Sequence, residues 1–119
     1  MTFKAETCET GGYPVLALSD EVDLTVKTDL QHTLDLLGKQ GDRLIVDLSD
    51  VTYIDSSALG TLIAFSARLG DRGAALAIVS DREGLRRIFQ TRGLVDLLHF
   101  VGSREEAAAY LDSTGMGVS

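Results

Sequence analysis

Apolar positions recur along the chain with two different periods. Phe3 to Cys8 and Tyr13 to Ser19 flank Gly11-Gly12 and predict two strands joined by a glycine turn. A polar, acidic stretch follows, Ser19-Asp20-Glu21-Val22-Asp23. Val26, Leu30, Thr33, Leu34 and Leu37 then fall at i, i+4, i+7, i+8 and i+11, which is one helical face. Gly38 and Gly41 close that helix. Arg43 to Leu48 is a short apolar run rich in β-branched residues and predicts a buried strand. A turn over Ser49 to Tyr53 leads into Ile54-Asp55-Ser56-Ser57, and a second helix runs to about Asp71, ended by Gly73. Ala74 to Val79 is apolar on both faces, as a central strand would be. Ser80-Asp81-Arg82-Glu83 and Ser103-Arg104-Glu105-Glu106 fit the S-x-x-E capping box and predict two more helix starts. The first of these helices would bury Leu85, Ile88 and Phe89 and end at Gly93. A short strand over His99-Phe100-Val101 precedes the second. Residues 113–119 show no period and read as a loose tail.

Strand–helix–strand units imply parallel neighbours with right-handed crossovers. The predicted class is α/β: a small mixed sheet, with an N-terminal antiparallel hairpin plus parallel strands, packed with about four α-helices. One hydrophobic core is all that 119 residues allow, so residues 1–112 form a single domain and 113–119 its tail. Neither a disulfide nor a metal is required for a chain of this length to fold.

Charge changes the picture. Residues 1–60 carry four cations against eleven anions, whereas residues 61–119 carry seven arginines against seven anions. The acidic first half repels nucleic acid and anionic lipid, whose binding rests on clustered cations. It suits a partner with a basic surface. With one cysteine, Cys8, no internal bridge is possible. Cys8, His32 and His99 are too few and too scattered for a zinc site, so no metal or cofactor is expected. No run approaches the ~20 apolar residues of a membrane span, and MTFKAETCET lacks the apolar stretch of a signal peptide. The expected location is cytoplasmic.

Catalytic patterns are weak. Ser56 and Ser57 sit at a strand-to-helix turn, as a hydrolase nucleophile would, but the glycine frame of G-x-S-x-G is missing. His99 is the only downstream base, and nothing near it would orient it as a triad requires. His32 faces away from the apolar stripe of its helix. A phosphoryl-accepting receiver domain is a second alternative, with Asp47 as acceptor and Asp20 and Glu21 as its acidic pair. It lacks a lysine after a later strand, since all three lysines lie at or before position 39. No enzyme activity is expected.

The segment Asp47-Leu48-Ser49-Asp50-Val51-Thr52-Tyr53-Ile54-Asp55-Ser56-Ser57-Ala58-Leu59-Gly60 is more specific. It resembles the signature of the STAS family in the form found in bacterial anti-sigma factor antagonists. That signature is a strand followed by D-L-[SG]-x-[VL]-x-[FY]-[IM]-D-S-[ST]-G-[LI]-G. The departure is Ala58, where the family usually has glycine. Ser19-Asp20-Glu21-Val22-Asp23 is similar to the family's G-E-[LIV]-D segment, with Asp20 where glycine is common. Leu85-Arg86-Arg87-Ile88-Phe89 with Gly93-Leu94 is similar to its late helix. The resemblance covers roughly residues 3–112, element order included.

The resemblance implies a phospho-switched binding module. Its unphosphorylated form would bind an anti-sigma factor that is also a serine kinase and so release the sigma factor. The kinase, supplying ATP, would phosphorylate Ser56, and a metal-dependent serine phosphatase would reverse this. Glu21, Asp23, Asp55, Ser57, Ala58, Thr61, Phe65 and Arg68 are the expected partner-binding residues. The helical spacing adds to this. Leu59, Leu62, Ile63, Ser66 and Leu69 point to the sheet, and Thr61, Ala64, Phe65, Arg68 and Arg72 point away. Phe65 is thus expected on a solvent face, where an aromatic invites a partner. Within the same family, a subunit of a lipid-transport or stressosome complex is the alternative.

Overall fold

The computed structural model describes residues 4–71, 73–80, 87 and 98–116. Among these residues five strands, β1 (Ala5–Thr10), β2 (Tyr13–Val22), β3 (Arg43–Ile54), β4 (Ala75–Val79) and β5 (His99–Val101), lie side by side in chain order. β1 is antiparallel to β2, and each later pair is parallel. Gly11 and Gly12 both take positive φ, +61° and +90°, between the paired ends Thr10 and Tyr13. Two such residues make the turn whose twist matches a hairpin. A 3-10 turn, Leu24–Val26, leads into α1 (Lys27–Gly38); α2 (Ser56–Asp71) and α3 (Arg104–Met116) complete the described elements. There are three α-helices among the described residues rather than four. The helix expected to bury Leu85, Ile88 and Phe89 and to end at Gly93 lies outside them.

The apolar run of β3 is explained by layers on both sides. Leu44, Val46 and Leu48 pack with Leu30 and Leu34 of α1 and Leu59 and Leu62 of α2. Ile45, on the opposite face, packs with Val15, Ala77 and Val79 and with Ala107 and Leu111 of α3. Each fully buried leucine contributes about 1.5–3 kcal/mol relative to exposure, so β3 is the strand on which both layers depend.

Three expectations change. The strand expected to end at Ser19 and the turn expected over 49–53 both continue as strand: β2 and β3 run on as a parallel pair to Val22 and Ile54. Val51 and Ile54 are buried, and that burial outweighs the polar residues between them. The pairing shifts register between Ala17 and Ser19 and again between Asp20 and Glu21. Such bulges absorb extra residues and bend a strand. Asp20 sits at the second shift with φ +60°, the only non-glycine residue with positive φ among those described. The resemblance places glycine there, and the backbone shows why. The supposed tail is the third change, because α3 continues to Met116. Its end lacks apolar periodicity but is held by hydroxyls: Ser113 and Thr114 donate to the carbonyls of Tyr110 and Leu111, each at 2.7 Å. Arg43 Nε in turn donates to Thr114 Oγ1 at 3.2 Å.

The start of α3 follows the capping box. Glu106 N donates to Ser103 Oγ at 3.1 Å, and the Glu106 carboxylate accepts from Gly102 N at 3.1 Å. The reciprocal bond thus reaches one residue further back than the usual box.

Candidate functional site

The carboxyl ends of β2 and β3 are tied together by one residue. Asp55 N donates to Val22 O at 3.1 Å, which fixes the turn after β3 against the end of β2. Its side chain then serves two helix starts. Oδ1 accepts from Ala58 N at 2.9 Å, making Asp55 the N-cap of α2. Oδ2 accepts from Leu24 N, also at 2.9 Å, at the head of the 3-10 turn. Leu59 N closes the first helical hydrogen bond on Asp55 O at 3.0 Å. Asp23 caps the 3-10 turn itself, its Oδ1 accepting from Thr25 N at 3.0 Å and from Thr25 Oγ1 at 2.5 Å.

Ser56 is therefore the first residue inside α2 and not its cap. It is exposed, and among the described residues no hydrogen bond engages its hydroxyl. The free N–H groups and partial positive charge of the helix start lie beside it. Ser57 is half-buried, and its carbonyl accepts from Thr61 Oγ1 at 3.0 Å. Glu21 is exposed on β2, in register with Tyr53 of β3. The structure thus brings Glu21, Asp23, Asp55, Ser56 and Ser57 to one end of the sheet.

The other expected contact residues differ. Ala58, Thr61 and Phe65 are buried, Phe65 to 4% exposure, so their side chains cannot serve as a docking face. The reason is α1, which packs against α2 and covers a flank that helical spacing alone assigned to solvent. A shallow pocket of about 340 Å³ between these helices is lined by Gly38, Lys39, Phe65 and Leu69 beside Asp35 and Arg68. Arg68 remains exposed but is engaged with α1: its Nη2 lies 3.1 Å from Asp35 Oδ1, and its guanidinium lies 5.8 Å from the Phe65 ring centre. The Ala58 methyl is fully buried in the core, which accounts for alanine in the glycine position of the motif.

Two side chains near Ser56 escaped the sequence reading. Leu24 is 66% exposed and Tyr53 52% exposed. Tyr53 stood within the motif but was not separated from its structural positions. Leu24 follows a strand end that only the structure reveals.

Among the described residues, neither alternative chemistry is assembled. Asp47 is buried, and its Oδ2 accepts from Arg104 Nε at 2.6 Å while Oδ1 accepts from Ser49 N at 2.9 Å. Burial by itself raises the Asp47 carboxyl, but the bonds from Ser49 and Arg104, with the Arg104 charge, outweigh it and hold the group below its ordinary range. An acceptor aspartate would need to face solvent. His99 stacks on Tyr110 with centroids 3.6 Å apart, and no hydrogen bond joins it to Ser56 among the described residues. Burial lowers the pKa of the imidazole. His32 is exposed. Among the described residues no cluster of three or more His, Cys, Asp or Glu side chains could hold a metal, and no helix is long and apolar enough to cross a membrane.

A family model described as "Mlab, STAS domain" matches residues 6–99. The chain belongs to the STAS domain family. This STAS domain is 30% identical over 88 residues to the anti-sigma-B factor antagonist of Bacillus subtilis, covering 74% of the chain and 81% of that protein. Its fold matches an anti-sigma factor antagonist from Mycobacterium paratuberculosis with a TM-score of 0.83 at 20% identity, over 93% of this chain and 95% of that one. It also matches the Bacillus cell fate determinant SpoIIAA in its phosphorylated form, with a TM-score of 0.66 at 19% identity, over 92% and 99% of the two chains. The small mixed sheet, an N-terminal antiparallel hairpin followed by parallel strands, is the one the sequence predicts.

Proposed function

We propose that this STAS domain is an anti-sigma factor antagonist whose binding state is set by phosphorylation of Ser56. The observation that carries the reading is the division of labour at the α2 start. Asp55 takes the capping role, and this leaves Ser56 exposed with its hydroxyl unengaged. A phosphate added there disturbs no bond of the fold among the described residues. The helix N-terminus favours the anion. The names of its relatives, and the phosphorylated state of one neighbour, support the same assignment.

In this reading the unmodified face around Glu21, Asp23, Asp55 and Ser56 binds an anti-sigma factor serine kinase, and the sigma factor is released. The Ser56 hydroxyl attacks the γ-phosphorus of the kinase's ATP. An O–P bond forms, the bridging P–O bond to ADP breaks, and the serine proton is lost. The product carries about −1.5 to −2 of new charge beside Asp55, and docking weakens. A metal-dependent serine phosphatase restores the hydroxyl.

Tandem mass spectrometry after incubation with purified kinase and ATP tests this. One phosphate on Ser56, none on Ser57, and an unchanged circular dichroism spectrum are expected. Ser56→Ala should bind the kinase persistently and Ser56→Asp weakly. Phosphate on Ser57 instead, or helix content lost on modification, refutes the switch. A stable complex with another protein and no phosphate at any kinase concentration points to the lipid-transport or stressosome alternative.

A further inference from the structure

Only three large apolar side chains among the described residues are exposed: Leu24, Leu36 and Tyr53. Two of them stand at the Ser56 end of the sheet. The Leu24 backbone is held by Asp55 Oδ2, and Tyr53 lies in β3 two residues before Asp55, in register with Glu21. Both positions are therefore on backbone already fixed by hydrogen bonds, so a partner that buries these side chains does not have to order the chain that carries them. An apolar side chain presented in this way is an anchor that partners bury, and tyrosine is among the residues that most often dominate such contacts.

The surroundings determine what kind of surface can meet them. Asp20, Glu21 and Asp50 are exposed, and Asp23 is half-buried, on the same strand ends. Among the described residues the cations on these segments are Lys4, which lies 2.6 Å from Asp20, and Lys27 at the head of α1. Exposed apolar side chains among carboxylates at one end of the sheet are complementary to an apolar depression rimmed by arginine or lysine.

Resting on the anti-sigma reading above, we propose that Leu24 and Tyr53 are the apolar anchors of the kinase-binding surface, and that the kinase meets them with a basic-rimmed apolar pocket. The placement also explains how a phosphate on a neighbouring serine blocks docking without altering the fold. A dianion beside the anchors would have to be stripped of water as the pocket closes over them.

The test uses the purified serine kinase of the source organism that phosphorylates the wild-type protein on Ser56. Its affinity is measured for wild type, Leu24→Ser, Tyr53→Thr and the control Leu36→Ser. Leu36 lies roughly 14 Å along the axis from the first residue of α1. Leu24→Ser and Tyr53→Thr should each weaken binding about tenfold or more, mainly through faster dissociation, with melting temperatures within a few degrees of wild type. Leu36→Ser should bind as wild type does. Leu24→Lys and Tyr53→Lys should weaken it further, because they set a cation against the basic rim. The association rate should fall as salt rises, since screening acts over ~8–10 Å. Wild-type affinity in both anchor variants overturns the anchors while leaving the Ser56 switch intact. A salt-independent association rate overturns the basic rim. If no kinase modifies Ser56, the anti-sigma reading fails and the anchors fail with it.

Discussion

Replacing Asp55 separates its structural role from its place beside the phospho-acceptor. Its carboxylate makes two hydrogen bonds of 2.9 Å, to Ala58 N and Leu24 N, and each serves a different helix start. Asp55→Ala removes the α2 N-cap, a loss of about 1 kcal/mol. It also removes the bond to Leu24 N, about 0.5–1.5 kcal/mol because that amide is exposed enough to bond water instead. The sum is about 2 kcal/mol, with no cavity penalty, since the residue is only half-buried. Asp55→Asn divides the two. An amide caps as well as a carboxylate, but its nitrogen cannot accept from Leu24 N, so about half the loss should remain. Urea unfolding followed by circular dichroism gives the two energies. Amide hydrogen exchange adds the site-specific reading. The Ala58 amide should lose protection in Asp55→Ala and keep it in Asp55→Asn, while the Leu24 amide loses it in both. A loss below about 0.5 kcal/mol for the alanine variant, or unchanged exchange at both amides, would refute the bracket. The freedom of the Ser56 hydroxyl would then have no structural cause in Asp55.

The remaining predictions concern other links between sequence and fold. Phe65→Glu forces a charge into a site that is 4% exposed and should cost several kcal/mol; a melting temperature within a few degrees of wild type would return Phe65 to the surface. Asp20→Gly should raise stability by up to about 1 kcal/mol, because the φ of +60° is strained for any residue with a Cβ. Asp20→Val should lower it, and urea midpoints decide between these. The Asp47–Arg104 pair makes stability depend on pH in a definite direction. The folded carboxyl is held below its ordinary value of 3.8, so its contribution is complete above that value and is lost as pH falls below it. Arg104→Gln should weaken that acid sensitivity, which acid titration of the unfolding energy would measure.

Local chemistry made parts of this protein legible in its sequence. Gly11-Gly12 could only be a turn, because few other residues tolerate two successive positive φ angles. Ser103 and Glu106 marked a helix start through the amides that every such start leaves open. The apolar stripe from Val26 to Leu37 chose the buried face of α1, and the motif through Asp55-Ser56 located the site. These signals span a few residues and need no knowledge of what packs beyond them.

Where a side chain's environment comes from a distant element, the linear pattern could not decide. Helical spacing puts Phe65 on the side of α2 away from the sheet, a solvent face, but α1 packs there, so Phe65 is buried. Val51 and Ile54 make a strand of a segment whose serine, aspartate and threonine read as a turn, because β2 is there to pair with it. Asp47 finds Arg104 fifty-seven positions away, a distance over which sequence carries no pairing signal. Leu24 and Tyr53 are ordinary apolar letters in the chain. They are exposed because the layers that bury Val22 and Ile54 beside them leave these two outside the core. Burial depends on the three-dimensional arrangement of neighbours, and only the folded chain specifies it.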